Sequence, residues 1–169
     1  MQKLFLVFII LLFCQNNALS KELSFQEKES LPSLANDSFI KVSSLNMKYE
    51  FTSHVNPFFI QGDFDGDGKL DVALMIVEKN SQKIGIAVIH SSSHKVFILG
   101  AGNSLNNGGD NFNWLDAWNT YPKVLVERGV EEEELPKLIG DAIYVKKIES
   151  ASGLIYWKDN KYNWYQQGD

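Results

Sequence analysis

The chain has 169 residues and a formal net charge of −5 at pH 7, with 22% of its residues charged. This acidic balance argues against nucleic-acid binding through a basic surface. Cys14 is the single cysteine, so an intrachain disulfide is excluded and the fold has to be stabilised by packing, to which a bound metal could contribute.

The N-terminus has the pattern of a signal peptide. One basic residue precedes an apolar run over residues 4–13, and the small residues Ala18 and Ser20 suit cleavage after position 20. The run is shorter than the roughly 20 apolar residues that span a bilayer. We therefore predict residues 1–20 as a signal peptide and an exported protein, periplasmic or secreted, with no membrane span after cleavage. An uncleaved anchor and lipidation at Cys14 are the alternatives, and the bulky residue before that cysteine disfavours lipidation.

The first half of the mature chain predicts mostly strands. Residues 21–37 are a polar leader, in which a short helix over 25–34 and a flexible segment are both open, and a single β-rich domain is expected over 38–169. Apolar runs bounded by turn residues predict the strands. Their ranges are 39–42, 47–51, 58–62, 70–77, 83–89 and 95–99. The last three are joined by connections too short for parallel crossovers, which predicts an antiparallel meander.

The second half contains a long loop and a terminal hairpin. Residues 100–113 are rich in Gly, Asn and Ser, and we expect them to form a loop anchored by the aromatic residues that follow. Asp159 and Asn160 both tolerate positive φ and predict a two-residue hairpin turn. The predicted elements are a helical turn or short strand at 114–118, strands at 121–126, 141–147, 153–158 and 161–166, and a solvated acidic run at Glu131–Glu134. The fold class is therefore mainly β, an antiparallel sheet with little helix.

The most informative motif is the acidic loop, residues 63–71, which carries aspartates at alternate positions and glycines at Gly66 and Gly68. Calcium takes six to eight oxygen ligands, several of them carboxylates, and glycine permits the tight backbone that wraps an ion. The predicted cofactor is therefore Ca²⁺ in a β-loop-β site. Its predicted ligands are the carboxylates of Asp63, Asp65, Asp67 and Asp71 and the backbone carbonyl of Lys69.

Three other interpretations of the acidic loop are weaker. An EF-hand would need a bidentate Glu at the twelfth loop position, where this chain has Leu74, and a helix where residues 72–77 predict a strand. Magnesium retains its waters and seldom uses an all-protein cage. An ordinary Asp/Gly hairpin turn without an ion does not require four aspartates at this spacing.

The segment Gly62–Ala73 resembles the calcium loop of FG-GAP/VCBS repeats, which occur in integrin alpha-subunit propellers and in many exported bacterial proteins. The resemblance implies a loop between two antiparallel strands, with Asp63, Asp65, Asp67, Asp71 and the Lys69 carbonyl as ligands. It covers about 20 to 30 residues, and the chain has one such loop where a propeller needs at least four blades. A full propeller is therefore excluded. The chain looks more like small exported bacterial proteins with a single loop of this type.

Histidines and hydrolase motifs offer little support for an enzyme. His90 and His94 flank a serine turn and could form a weak zinc pair, but no third ligand is apparent and a solvent-exposed turn is the better interpretation. The chain has no Gly-x-Ser-x-Gly elbow and no His-Glu-x-x-His motif. An enzyme is therefore the less expected class.

Aromatic residues are concentrated in the second half, where core packing or a binding platform could explain them. The residues singled out for partner binding are Asn107, Asp110, Trp114, Asp116 and Trp118. We expect an exported calcium-binding interaction module whose partner is an envelope or extracellular protein or glycan. The alternatives are a purely structural calcium in an adhesion or inhibitor-like protein and an envelope hydrolase with unrecognised catalytic residues.

Overall fold

Two antiparallel sheets pack face to face in the computed structural model of the chain, which describes residues 23–129 and 134–168. The predicted signal peptide and Glu131–Glu133 lie outside these ranges. The first sheet contains β1 (Tyr49–Phe51), β2 (Phe59–Gly62), β3 (Asp71–Glu78), β4 (Ile84–Ile89) and β5 (Val96–Gly100). The second sheet contains β6 (Ala117–Tyr121), β7 (Ala142–Lys147), β8 (Ala151–Lys158) and β9 (Lys161–Gly168). The mainly β, antiparallel fold predicted from the sequence is confirmed.

Strand β3 is the centre of the first sheet. It pairs with β4 along one edge and with the two short strands β1 and β2 along the other. All eight of its residues are buried. Side chains of a strand alternate between faces, so Ala73 and Met75 join the core between the sheets while Leu74 and Ile76 face the opposite layer. Burial on both faces explains why this segment reads as a continuous apolar run.

A layer of short helices covers the outer face of the first sheet. It consists of α1 (Phe25–Glu29), α2 (Ser33–Ala35), a π-helical turn (Asn36–Ile40) and α3 (Ser43–Lys48). Leu23, Leu31, Ala35 and Phe39 are buried in this layer together with strand residues. The short helix open at 25–34 is found over residues 25–29, residues 33–35 form a separate short helix, and Leu23, Leu31 and Ala35 provide the contacts with the sheet.

Two predicted strands are wrong. Residues 39–42 belong to the helical layer, where the Phe39 ring packs 4.8 Å from that of Phe51 and is buried because the sheet is covered there. Of residues 121–126, only Tyr121 is in a strand, because its partner Ala142 is the first residue of β7 and no further described residue is paired across from this segment. Local β propensity is overridden where no partner strand exists.

The remaining strand predictions agree with the structure to within a few residues. Residues 95–99 and 161–166 correspond to β5 and β9, and the Asp159–Asn160 turn has φ angles of 53° and 59°. The helical turn or strand open at 114–118 leads into β6. The long loop contains one 3-10 turn, Asn106–Gly108, and is anchored by Phe112, which is fully buried and donates its backbone N–H to the Ile84 carbonyl at 2.8 Å.

None of the helices among the described residues is long and apolar enough to cross a membrane.

A pH-dependent contribution to stability is expected from His54, which lies in the connection between β1 and β2. Burial holds the pKa of its imidazole below the usual range, and its Nε2 atom is buried without a hydrogen-bond partner among the described residues. The unfolded chain therefore binds a proton more readily, so the free energy of unfolding should fall as the pH drops below about 6.5. Urea denaturation across this range should show a shallower pH slope for His54→Gln. Buried His90 contributes a slope of the same sign in both proteins, so a slope as steep in His54→Gln as in the wild type would contradict the assignment.

Candidate metal centre

The acidic loop joins β2 to β3. The pair of residues next to the loop in these two strands is Gly62 and Asp71. It lies against the segment that precedes β7. The Asp63 backbone N–H donates to Asp141 Oδ2 at 3.0 Å, and the Asp141 N–H donates to the Asp63 carbonyl at 2.7 Å. Gly66 has φ +81°, and a Cβ added there would lie 2.6 Å from the Ile139 carbonyl oxygen. The tight path of the loop against this segment therefore requires glycine at position 66.

Backbone N–H groups of the loop orient its aspartates. The Asp67 N–H donates to Asp65 Oδ1 at 3.1 Å, and the Lys69 N–H donates to Asp67 Oδ1 at 2.9 Å. The Gly68 N–H donates to Asp63 Oδ2 at 3.1 Å. Each of these carboxylates consequently has one oxygen held by the loop backbone, which fixes its direction without a metal.

Three aspartates converge at the centre of the loop. One carboxylate oxygen from each of Asp63, Asp65 and Asp67 lies within 4.8 Å of the other two. Asp63 Oδ1 is buried and has no hydrogen-bond partner in the described structure. A buried carboxylate oxygen without a donor is costly, and a cation would compensate for it. A carboxylate oxygen that accepts no hydrogen bond is available to coordinate a cation.

Asp71 has a different environment from the other three. It is fully buried, its Oδ2 accepts the Phe64 N–H at 3.0 Å, and its Oδ1 accepts the Ser91 N–H at 2.8 Å. Burial raises the pKa of its carboxyl to about 6, although these N–H groups favour the charged form. Asp71 therefore ties the acidic loop to the turn between β4 and β5.

His90 is the residue that the sequence interpretation placed wrongly. It is 3% exposed, although a solvent-exposed turn was expected. Its Nδ1 lies 3.1 Å from Asp65 Oδ2, and its Nε2 forms a hydrogen bond of 2.7 Å with the Tyr162 hydroxyl. Burial lowers the pKa of this imidazole. His94 bonds through Nδ1 to the Ser38 hydroxyl at 2.9 Å, so the two histidines have different partners and do not form a pair.

The structure offers two overlapping ligand groups that share Asp65. Asp65, Asp71 and His90 also place one ligand atom each within 4.8 Å of one another. A histidine nitrogen in the set would suit zinc or another transition metal. Both oxygens of Asp65, Asp67 and Asp71 and both nitrogens of His90 have polar partners, so Asp63 is the residue that distinguishes the two groups. The group with Asp63 and Asp67 consists of oxygens alone and includes the aspartate that has an unpaired oxygen, so it fits a hard cation better.

Other features predicted for the loop can be compared directly with the structure. Leu74 is fully buried in β3, so a strand follows the loop where an EF-hand would have a helix. The Lys69 side chain is exposed, and its backbone N–H belongs to the hydrogen bonds within the loop. The Ser92 hydroxyl, which the sequence did not single out, donates to Asp67 Oδ2 and lowers the pKa of that carboxyl.

The residues predicted for partner binding are not gathered into one site. Asn107 and Trp114 line a shallow cavity of about 210 Å³ together with Trp164. Trp118 is 4% exposed between the sheets and donates its indole N–H to the Pro57 carbonyl. The other two predicted residues have partners elsewhere. Asp110 pairs with Lys83, and Asp116 accepts the Ile148 N–H at 2.9 Å.

Comparison of the chain with protein-family models, curated proteins and solved structures gives no significant match. The function of the site is therefore inferred from its own geometry.

Proposed function

We propose that this protein is an exported calcium-binding domain that acts as an interaction module at the cell envelope or outside the cell. The observation that carries the proposal is the convergence of Asp63, Asp65 and Asp67, of which Asp63 also has a buried oxygen without a hydrogen-bond partner among the described residues. An oxygen-only ligand set with several carboxylates suits Ca²⁺. Export is proposed from the N-terminal sequence pattern alone.

Asp71 and the Lys69 carbonyl complete the proposed ligand set on the basis of the sequence resemblance. The position of the loop between antiparallel β2 and β3 supports the resemblance to a single FG-GAP/VCBS loop. When bound, the ion would supply positive charge where the aspartates repel one another. Hydrogen bonds of the chain itself hold the loop against Asp141 and the turn at Ser91.

The same contacts favour a second candidate, in which calcium only stabilises the fold. The loop joins β2 to β3 and is tied through Asp71 to the turn between β4 and β5, so an ion there would stabilise two strand connections together. The two candidates share the metal site, and they differ in whether an adjacent surface binds a ligand.

A calorimetric titration of Ca²⁺ into chelator-treated protein tests the metal site. We expect saturable heat with one ion bound per chain, because Asp63, Asp65 and Asp67 surround a single point. Mg²⁺ should give much weaker binding, since it dehydrates reluctantly and demands a near-ideal octahedral shell. A Zn²⁺ titration distinguishes the group that contains His90. Absence of Ca²⁺ heat, or tighter binding of Zn²⁺ that is lost in His90→Gln, would contradict the calcium assignment.

A further inference from the structure

Three chain reversals meet at one end of the sandwich. The acidic loop, the turn between β4 and β5, and the turn at Asp159–Asn160 border a cleft of about 400 Å³. This volume is within the range of small-molecule binding sites, roughly 300 to 1,000 Å³. The lining residues that matter here are Asp67, Lys95, Phe97, Trp157 and Asn160.

One wall of the cleft is aromatic and rigidly supported. The rings of Phe97 and Trp157 lie 4.9 Å apart, inclined at 72°, and both side chains are partly exposed. Tyr162 packs 4.9 Å from Trp157 and 5.6 Å from Phe97. Buried His90 packs 4.6 Å from Phe97 and 4.8 Å from Trp157. Because the rings are held by edge-to-face packing, a ligand that contacts them would freeze little additional side-chain motion.

The rest of the cleft lining is polar and carries both signs of charge. Asp67 offers carboxylate acceptors, Lys95 offers ammonium donors, and Asn160 offers an amide with both functions. A purely apolar ligand would leave these groups desolvated without partners. An organic cation would meet Lys95, and an anion would meet Asp67 and Asp65 unless calcium neutralises them. The lining therefore suits a ligand that has one apolar face and several hydroxyl groups, because a hydroxyl can donate to a carboxylate and accept from an ammonium group.

A pyranose ring has this amphipathic shape. Its C–H groups form an apolar face that stacks on an aromatic ring, and its hydroxyls donate and accept hydrogen bonds around the edge. We propose that the cleft binds a pyranose unit of a glycan, with its apolar face on Trp157 and its hydroxyls on Asp67, Lys95 and Asn160. The inference rests on the proposed function in one respect, since Asp67 belongs to the acidic loop that calcium would order.

Binding of defined saccharides tests this proposal. Cellobiose, N,N′-diacetylchitobiose, galactobiose and a printed array of oligosaccharides serve as probes, with calorimetry and tryptophan fluorescence as readouts. We expect Trp157→Ala to weaken binding of a recognised sugar by at least about tenfold. Tyr156→Ala is the matched control, because Tyr156 precedes Trp157 on β8 and packs with the cluster on the outer face of the second sheet. Its affinity should stay within about twofold of wild type.

Lys95→Ala and Asn160→Asp keep the proposal testable if Trp157→Ala fails to fold. Both side chains are exposed, and aspartate tolerates the positive φ of 59° at position 160. Each variant should weaken sugar binding by about threefold to tenfold, as for the loss of one or two hydrogen bonds.

The outcomes separate this inference from the calcium assignment. Calcium heat with no saccharide bound by any probe would overturn the cleft proposal and leave the metal site intact. Equal loss of sugar binding in Trp157→Ala and Tyr156→Ala would also overturn it. Sugar binding that depends on Trp157 but occurs without any calcium heat would support the cleft and remove the proposed metal function. Binding that weakens when calcium is chelated would support both.

Discussion

Replacing Asp63 and Asp65 together with asparagine should abolish the calcium-induced rise in melting temperature without destabilising the metal-free protein. At a hundredfold excess over Kd, the wild type should gain about 2.7 kcal/mol, or roughly 5 to 10 °C for a domain of this size. The paired variant loses two of the three converging carboxylates. Asparagine retains an oxygen that can accept the N–H groups of Asp67 and Gly68, so the turn should persist.

The sign of the change in the metal-free state is the informative part of this prediction. Like charges within 4.8 Å repel one another, by about 1 kcal/mol in water and more where the site is partly buried. Without metal, the variant should therefore match or exceed the wild type in its free energy of unfolding. Thermal melts with calcium and with chelator provide the measurement. Asp110→Asn combined with Asp116→Asn removes the same charge elsewhere and should keep the calcium response.

Two results would count against this account. A full calcium shift in the Asp63/Asp65 variant would place the ion elsewhere. A large loss of stability in chelator would mean that these carboxylates mainly cap the turn, because their hydrogen bonds with the loop backbone would then outweigh their repulsion.

Asp71→Ala should destabilise the protein by about 2 to 4 kcal/mol even without metal. It removes the acceptor of two backbone N–H groups, Phe64 and Ser91, from a fully buried position. Each buried donor left unpaired costs about 1 to 3 kcal/mol, and relief of the buried charge offsets part of this. Asp71→Asn retains one acceptor and should be intermediate.

Urea denaturation in chelator measures this effect. Asp37→Ala is the control, because its pair with Lys41 is exposed and such pairs contribute about 0 to 1 kcal/mol. A loss below about 1 kcal/mol for Asp71→Ala would show that water replaces the lost acceptor and that Asp71 does not tie the two turns together.

The opposite expectations for these neighbouring aspartates follow from their hydrogen bonds. Asp63 and Asp65 are ligand candidates whose charges are unfavourable without a cation, whereas both oxygens of Asp71 have backbone donors. The sequence placed all of them in one motif at alternate positions. Their division into a converging group and an anchoring residue depends on the turn at Ser91, which lies 20 residues further along the chain.

Features encoded within a short stretch of chain could be predicted from the sequence. The acidic loop is one, because alternate aspartates with intervening glycines converge through local backbone geometry. Strand β3 is another, since a short continuous apolar run rich in β-branched residues between turn signals predicts a buried strand. The Asp159–Asn160 hairpin likewise depends on two residues that tolerate positive φ.

Tertiary structure decided the features that depend on pairing between distant segments. Residues 39–42 have strand propensity, yet they form part of the helical layer that covers β3. His90 resembled an exposed turn residue, and it is buried because the β3–β4 pairing brings it to the acidic loop beside Asp65 and the packing of the two sheets brings it against Tyr162. In the observed β3–β4 hairpin Val72 pairs with Ile89, so the next residues along the two strands, Asp71 and His90, are neighbours. The register of the predicted hairpin would therefore have been the signal for this contact.

The aromatic cleft shows most clearly what the sequence determined and what it did not. Phe97 and Trp157 are 60 positions apart in the sequence. The residues around each of them predict a strand but do not indicate whether the aromatic side chain is exposed. Packing of the two sheets brings their rings to 4.9 Å beside the acidic loop. The ligand geometry of a loop is a local property, so the sequence alone indicated the metal site. A surface built from three chain reversals exists only once both sheets are paired and packed.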